Sequence, residues 1–357
     1  MDRRMLSKIP IISGGLLFGT LGAVAVNFGN PPNMGLCVAG FISDTAGALN
    51  LHHISAMQYI RPEIIGFTLG SMGAAVLFRE WKPQGGASPL IRFLLGFFVM
   101  IGALVFLGCP VRMLLRLAGG DLNGIPALAG LLAGVFTGVH FLKQGFSLGD
   151  SVSIPSAAGF ILPAIMMILF ILAIAKPDFI AHSAGGPGAM HAPLFISLGF
   201  GLFIGFMAQR TRMCSIGAWR DLFLIGNTHL FSGIAALFVA ALITNYLTGN
   251  FSSLYHWGFA EEPLAHSSHL WNFAGMGLVG LAATLIGGCP FRNLVLSGQG
   301  DLDAGSMVLG LFAGAVFANN FGLTSSPAGV TTWGPFAVVA GLVFCVIIGF
   351  IMRPRFP

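Results

Sequence analysis

The chain has 357 residues, of which 55% are apolar and only 8% charged, with 17 Lys and Arg against 12 Asp and Glu. A soluble domain carries about 25% charged residues, so this composition argues against a soluble globular enzyme and for an integral membrane protein. The basic residues are scattered between apolar runs, which points to membrane orientation rather than to a nucleic-acid patch.

In chain order, the first thirty residues carry Arg3, Arg4 and Lys8, an apolar run and Ala23-Val24-Ala25, a pattern shared with signal peptides. Cleavage there would delete the first span and unbalance the repeat described below, so the segment is expected to stay. Apolar runs of near-membrane length fall at 10–28, 62–79, 91–108, 124–141, 157–175, 192–209, 228–247, 270–287, 304–321 and 334–352. They predict an all-α polytopic bundle. Residues 1–156 form the first repeat half, 157–191 the fifth span with an extracytoplasmic connector, and 192–357 the second half. Five crossings per half is an odd number, so the second copy enters from the opposite side and the repeat is inverted.

Charge gives an independent reading. With the N-terminus in the cytoplasm, thirteen Lys and Arg fall in inner loops, and four (Arg61, Arg112, Arg116 and Lys176) fall outside. That bias predicts cytoplasmic termini. Glu261, Glu262, His256, His266 and His269 share one outer loop, but their spacing matches no ligand motif. No metal and no cofactor are expected.

Four stretches are too broken to cross and too apolar for ordinary loops: 33–50, 109–123, 213–226 and 289–303. Two of them are nearly the same text. Gly108-Cys109-Pro110-Val111-Arg112 returns 180 residues later as Gly288-Cys289-Pro290-Phe291-Arg292, and 108–134 matches 288–314 at twelve of 27 positions without a gap. The other two begin with Cys37 and Cys214, each in C-x-x-G-x-x-x-D, completed by Gly40 and Asp44 or by Gly217 and Asp221. These stretches read as re-entrant short helices whose tips approach the middle. Irregular backbone at membrane depth survives only inside protein or along a cavity. Pro110 and Pro290 suit a first helical turn, which places the cysteines at helix N-termini, where partial positive charge favours thiolates and anions. Cys345 lies in a smooth apolar run and reads as core filler.

Arg112 and Arg292 follow their cysteines by three positions. Each precedes an aspartate, Asp121 or Asp301, by nine. The equal spacing predicts a structural clasp in each copy; contact with substrate is the competing reading.

The paired G-C-P-x-R motifs, an earlier cysteine in each half and an all-apolar frame resemble the YeeE/YedE family of membrane proteins over roughly 14–350 of the chain. The resemblance implies an hourglass-shaped bundle with short helices dipping into the centre. It implies uptake of sulfur-containing ions, thiosulfate in one branch, with another branch associated with selenium. In the implied mechanism the ion passes a line of thiols through transient sulfur–hydrogen–sulfur contacts, and a soluble TusA-type sulfur carrier is the implied partner. The matching residues are Cys37, Cys109 and Cys289; Cys214 fills a fourth place by internal symmetry.

The residues themselves agree with that chemistry. A row of thiols offers weak, exchangeable sites to a soft terminal atom, as conduction requires. No nucleotide motif is present, and a transporter rather than an enzyme is expected. Two alternatives stand beside it. A membrane thiol–disulfide oxidoreductase needs cysteines brought close by folding. A small-solute channel would also use inverted half-helices, but Asn30-Pro31-Pro32 occurs once and paired tip cysteines would be surplus.

Overall fold

The computed structural model describes residues 8–250, 257–259 and 262–353. It is built almost entirely of helices. In chain order these are α1 (Ile9–Asn27), α2 (Val38–Ala48), α3 (Pro62–Leu77), α4 (Pro89–Phe106), α5 (Pro110–Gly119), α6 (Gly124–Lys143), α7 (Ser156–Gly159) and α8 (Ile161–Ala175). They continue with α9 (Leu194–Thr211), α10 (Ser215–Ile225), α11 (His229–Leu247), α12 (His269–Ile286), α13 (Pro290–Gly298), α14 (Leu302–Asn320) and α15 (Gly334–Ile351). A two-residue antiparallel ladder joins β1 (Gln84–Gly85) to β2 (Val152–Ser153).

Among the described residues, eight helical stretches are long and apolar enough to cross a membrane, which marks a multi-pass membrane protein. The other two expected crossings are shorter, α3 with 16 residues and α8 with 15. At 1.5 Å rise per residue these reach about 24 Å, against roughly 30 Å of hydrocarbon. Local chemistry sets both ends of α8: the chain breaks at Phe160 after α7, and Lys176 in the left-handed region stops it. Leu247, Phe195, Leu90, Ile351 and Phe336 stand exposed around the outside, as lipid-facing side chains do.

Helix packing is reciprocal. Helix α1 packs on α11 while α3 packs on α9; α4 packs on α14 while α6 packs on α12. The short helices follow the same exchange: α5 lies on α11 as α13 lies on α3, and α10 lies on α6 as α2 lies on α14. The last long helix of each series departs from it. Helix α8 packs on α3, whereas α15 packs on α12 and α4.

Glycine makes these seams possible. A Cβ on Gly134 would stand 2.0 Å from the Gly277 carbonyl oxygen, and one on Gly19 would stand 2.1 Å from that of Leu237. No side chain fits there, and the backbones approach as small-residue membrane interfaces allow.

Candidate functional site

The four stretches singled out in the sequence fold into the four short helices α2, α5, α10 and α13, and each begins at its cysteine. Cys37, Cys109, Cys214 and Cys289 are the N-cap residues, in extended backbone conformations. Pro110 and Pro290 occupy the first turns of α5 and α13, where a missing N–H leaves no orphan. The cap sulfurs take the place of the usual cap oxygen. Cys37 Sγ accepts from the Gly40 amide at 3.3 Å, Cys214 Sγ from the Gly217 amide at 3.2 Å, and Cys289 Sγ from the Arg292 amide at 3.4 Å. The C-x-x-G spacing places the glycine amide on the sulfur.

Folding brings the cysteines together in two pairs. Cys37 and Cys109 are immediate neighbours, close enough for their thiols to influence one another. Cys214 and Cys289 repeat this. Their thiols are neighbours, and the Cys289 amide donates to Cys214 Sγ at 3.4 Å. All four are buried and none is in a disulfide. Cys345 lies buried in α15, a helix that carries neither pair.

A cavity adjoins each pair. One, of about 350 Å³, is lined among others by Met34, Gly40, Asp44, Met57, Gly108 and Arg112. The other, of about 460 Å³, is lined among others by Arg212, Cys214, Gly217, Arg220, Gly287 and Arg292. Gly40 and Gly217, and Arg112 and Arg292, are the matched positions of the sequence repeat. The two cavities therefore sit at equivalent places in the two series of helices.

The expected clasps do not form. Asp121 pairs with Arg116, Nε to Oδ2 at 2.6 Å, with both side chains fully buried. Asn33 and Asn123 complete its shell at 2.8 and 2.9 Å. Five residues separate Arg116 from Asp121, and the chain reverses through Gly120 at φ +105°, so the carboxylate folds back onto the end of its own helix. Nine residues back, Arg112 points the other way. Its guanidinium donates to the carbonyls of Asn33 and Leu264 at 3.0 and 3.1 Å. In the second copy a leucine, Leu296, stands at the position matching Arg116. Asp301 instead caps α14 by accepting from the Ala304 amide at 2.9 Å and accepts from Gln84 Nε2 at 2.7 Å. Among the described residues the Arg292 guanidinium bonds only the Ala208 carbonyl, at 3.5 Å. Arg112 and Arg292 are thus buried guanidiniums that form no ion pair with a carboxylate among the described residues, one beside each thiol pair.

The aspartates of the two C-x-x-G-x-x-x-D motifs do form ion pairs. Asp44 binds Arg61 at 2.7 Å, both buried, and Asp221 binds Arg220 at 2.8 Å. Arg61 also donates to the Pro187 and Met190 carbonyls at 2.7 and 3.0 Å, tying the connector to α2. Sequence reasoning missed Arg116, Arg61, the two methionines and the gathering of Arg210, Arg212 and Arg220. Only the last left a trace, as three basic residues flanking Cys214 within eleven positions.

In the loop that gathered acidic and histidine residues, His266 is a structural hydrogen-bonding residue, 2.8 Å from the Val105 carbonyl. Phe259 and His269 stack edge to face; His256 and Glu261 lie outside the described residues. Among the described residues no three His, Cys, Asp or Glu side chains gather as a metal site would need.

Neither the protein-family models nor the curated proteins compared with the chain match it.

Proposed function

We propose that the protein is a transporter for a small sulfur- or selenium-containing anion, thiosulfate or a selenium species, and that the anion passes the two thiol pairs Cys37–Cys109 and Cys214–Cys289. The observation that carries this reading is the coincidence, at two equivalent places, of a cavity, a thiol pair at helix N-termini and a buried arginine lacking a carboxylate. A buried guanidinium without a counter-charge is unfavourable, and an anion supplies what is missing. The thiols offer weak, replaceable contacts to a polarisable terminal atom, and weak successive sites let an ion leave as readily as it arrives. Met34 and Met57 add soft sulfur to the lining of one cavity.

The reciprocal packing supports an inverted repeat, because paired exchange is what a two-fold relation between halves produces. The different seats of α8 and α15 confine that relation to the first four long helices of each half. The thirteen-to-four charge distribution supports cytoplasmic termini in a bacterial inner membrane. The resemblance to the YeeE/YedE family supports the substrate class and a TusA-type carrier as soluble partner. In reconstituted vesicles, Cys109→Ala and Cys289→Ala are expected to abolish uptake of labelled thiosulfate or selenite, and Cys345→Ala to leave it near wild type. Equal damage from all three would remove the thiol pathway.

A second reading gains from the same contacts. Two neighbouring thiols can be oxidised to a disulfide, as a membrane thiol–disulfide oxidoreductase requires. That enzyme would cycle one pair between dithiol and disulfide during turnover, whereas a transporter keeps all four reduced.

A further inference from the structure

The two cavities are not equally furnished. Beside Cys37 and Cys109, Arg112 is held by two carbonyl oxygens at 3.0 and 3.1 Å. At the equivalent place Arg292 has a single carbonyl at 3.5 Å, although the side chain is only 9% exposed. Arg292 is part of the wall of the 460 Å³ cavity. Asp301 attracts it from a distance, but among the described residues no carboxylate forms an ion pair with it. Arg212 lies close enough to repel it, and among the described residues Arg212 has no ion-pair partner. Arg212 is held there by a left-handed backbone, φ +56°, a conformation unfavourable for a side chain of its size. Arg210 and Arg220 line the same cavity, but Glu80 and Asp221 pair with them.

Residues of the first turns of two helices contribute to this wall. Cys214 and Gly217 at the start of α10 line the cavity, and Arg292 stands at the third residue of α13. Helix N-termini and paired guanidiniums favour the same ligand, a compact oxyanion whose oxygens accept several N–H bonds at once. Met34 and Met57 have no counterpart in this lining, which sets its basic side chains beside the single sulfur of Cys214.

We infer that the arginine-lined cavity is a binding site for a tetrahedral dianionic oxyanion, held by Arg292 and Arg212 at the mouths of α10 and α13. This deepens the transport reading by naming where the oxygen end of the anion is gripped while its soft end faces Cys214. The site also takes dianions that lack a soft atom, such as sulfate, so these compete with substrate from that side of the protein.

The test is calorimetric titration of the detergent-purified full-length protein with thiosulfate and with sulfate, against chloride at constant ionic strength. Saturable binding of both dianions is expected, weakened at least tenfold in Arg292→Gln and in Arg212→Gln. Arg353→Gln, a basic residue at the end of α15 outside the cavity, is expected to bind as wild type. The Arg212 side chain is exposed and makes no hydrogen bond within the described residues, so its variant remains informative if Arg292→Gln fails to fold. Unchanged dianion binding in Arg212→Gln and in a folded Arg292→Gln, or wild-type binding no stronger than that of chloride, overturns the site. Uptake assays on the same preparations separate the two proposals. Arginine-dependent binding without any uptake leaves the site standing and removes transport, whereas uptake with arginine-independent binding does the reverse.

Discussion

Cys214 and Cys289, 75 residues apart in sequence, touch: the Cys289 amide donates to Cys214 Sγ at 3.4 Å, and Cys37 and Cys109 are likewise neighbours. A mild thiol oxidant such as diamide is therefore expected to form these two intramolecular disulfides and no other, read by non-reducing peptide mass mapping. Each should block uptake, since a disulfide leaves no thiol to exchange contacts. A Cys37–Cys289 or Cys109–Cys214 crosslink in quantity would contradict the pairing. A disulfide that forms and disappears with every turnover would favour the oxidoreductase reading over transport.

The pair Arg116–Asp121, not a pair through Arg112, carries the electrostatics at the end of α5. Asp121→Ala leaves a fully buried guanidinium uncompensated, at a cost of about 3–5 kcal/mol. Its melting temperature in detergent should fall well below that of wild type. Arg112→Gln, which gives up two hydrogen bonds to carbonyls and no ion pair, should fall less and lose uptake instead. The reverse order would restore the Arg112 clasp.

Stability should also decline in mild acid. His52 and His266 use Nε2 toward the carbonyls of Ser43 and Val105, at 2.9 and 2.8 Å. Their Nδ1 atoms accept from the Ile54 and Ser268 amides, which fixes each ring as the neutral Nε2–H tautomer. Burial pushes both below the ordinary histidine value. The unfolded chain thus binds protons first as pH falls, and stability decreases from about pH 6.5 downward toward the folded-state values. Melting curves at pH 7.5 and 5.5 should show the drop, and it should shrink in the double variant His52→Gln with His266→Gln. A drop of undiminished size would assign it to other groups.

Glycine substitutions should separate seams from free surface. Gly134→Val drives a branched side chain into the backbone of α12 and is expected to abolish folded protein in size-exclusion chromatography. Gly73→Ala, where nothing lies within 4 Å, should be neutral or gain about 0.5–1 kcal/mol, as for glycine in a helix interior. Equal tolerance at both positions would mean that α6 and α12 are not in backbone contact.

Much of the architecture was legible because the membrane leaves few choices. Apolar runs near twenty residues must be helices, and those at 10–28, 124–141 and 228–247 became α1, α6 and α11 almost residue for residue. The cysteines announced four helix starts because a Gly or Pro stood at a helix-start offset from each. What remained hidden was long-range. Sequence spacing favoured Arg112 for Asp121, but the reversal at Gly120 delivers the carboxylate to Arg116. Spacing could not show that Cys37 meets Cys109 rather than Cys289, because that depends on how α2 and α5 are held by α14 and α11. The different seats of α8 and α15 were equally invisible, since apolar periodicity says that a helix is buried without naming its neighbour.

The central claim is that a soft terminal atom passes the paired thiols, and sulfur-for-oxygen exchange at the caps tests it most directly. Initial rates of labelled thiosulfate and selenite uptake into proteoliposomes should be compared for wild type, Cys109→Ser and Cys289→Ser. Serine retains the hydrogen bonding of the cap and removes the polarisable sulfur. The account predicts saturable uptake of at least one of the two anions by wild type, with each serine variant folded and its rate reduced tenfold or more. Wild-type rates in both serine variants, or no uptake of either anion by the wild-type protein, would contradict it.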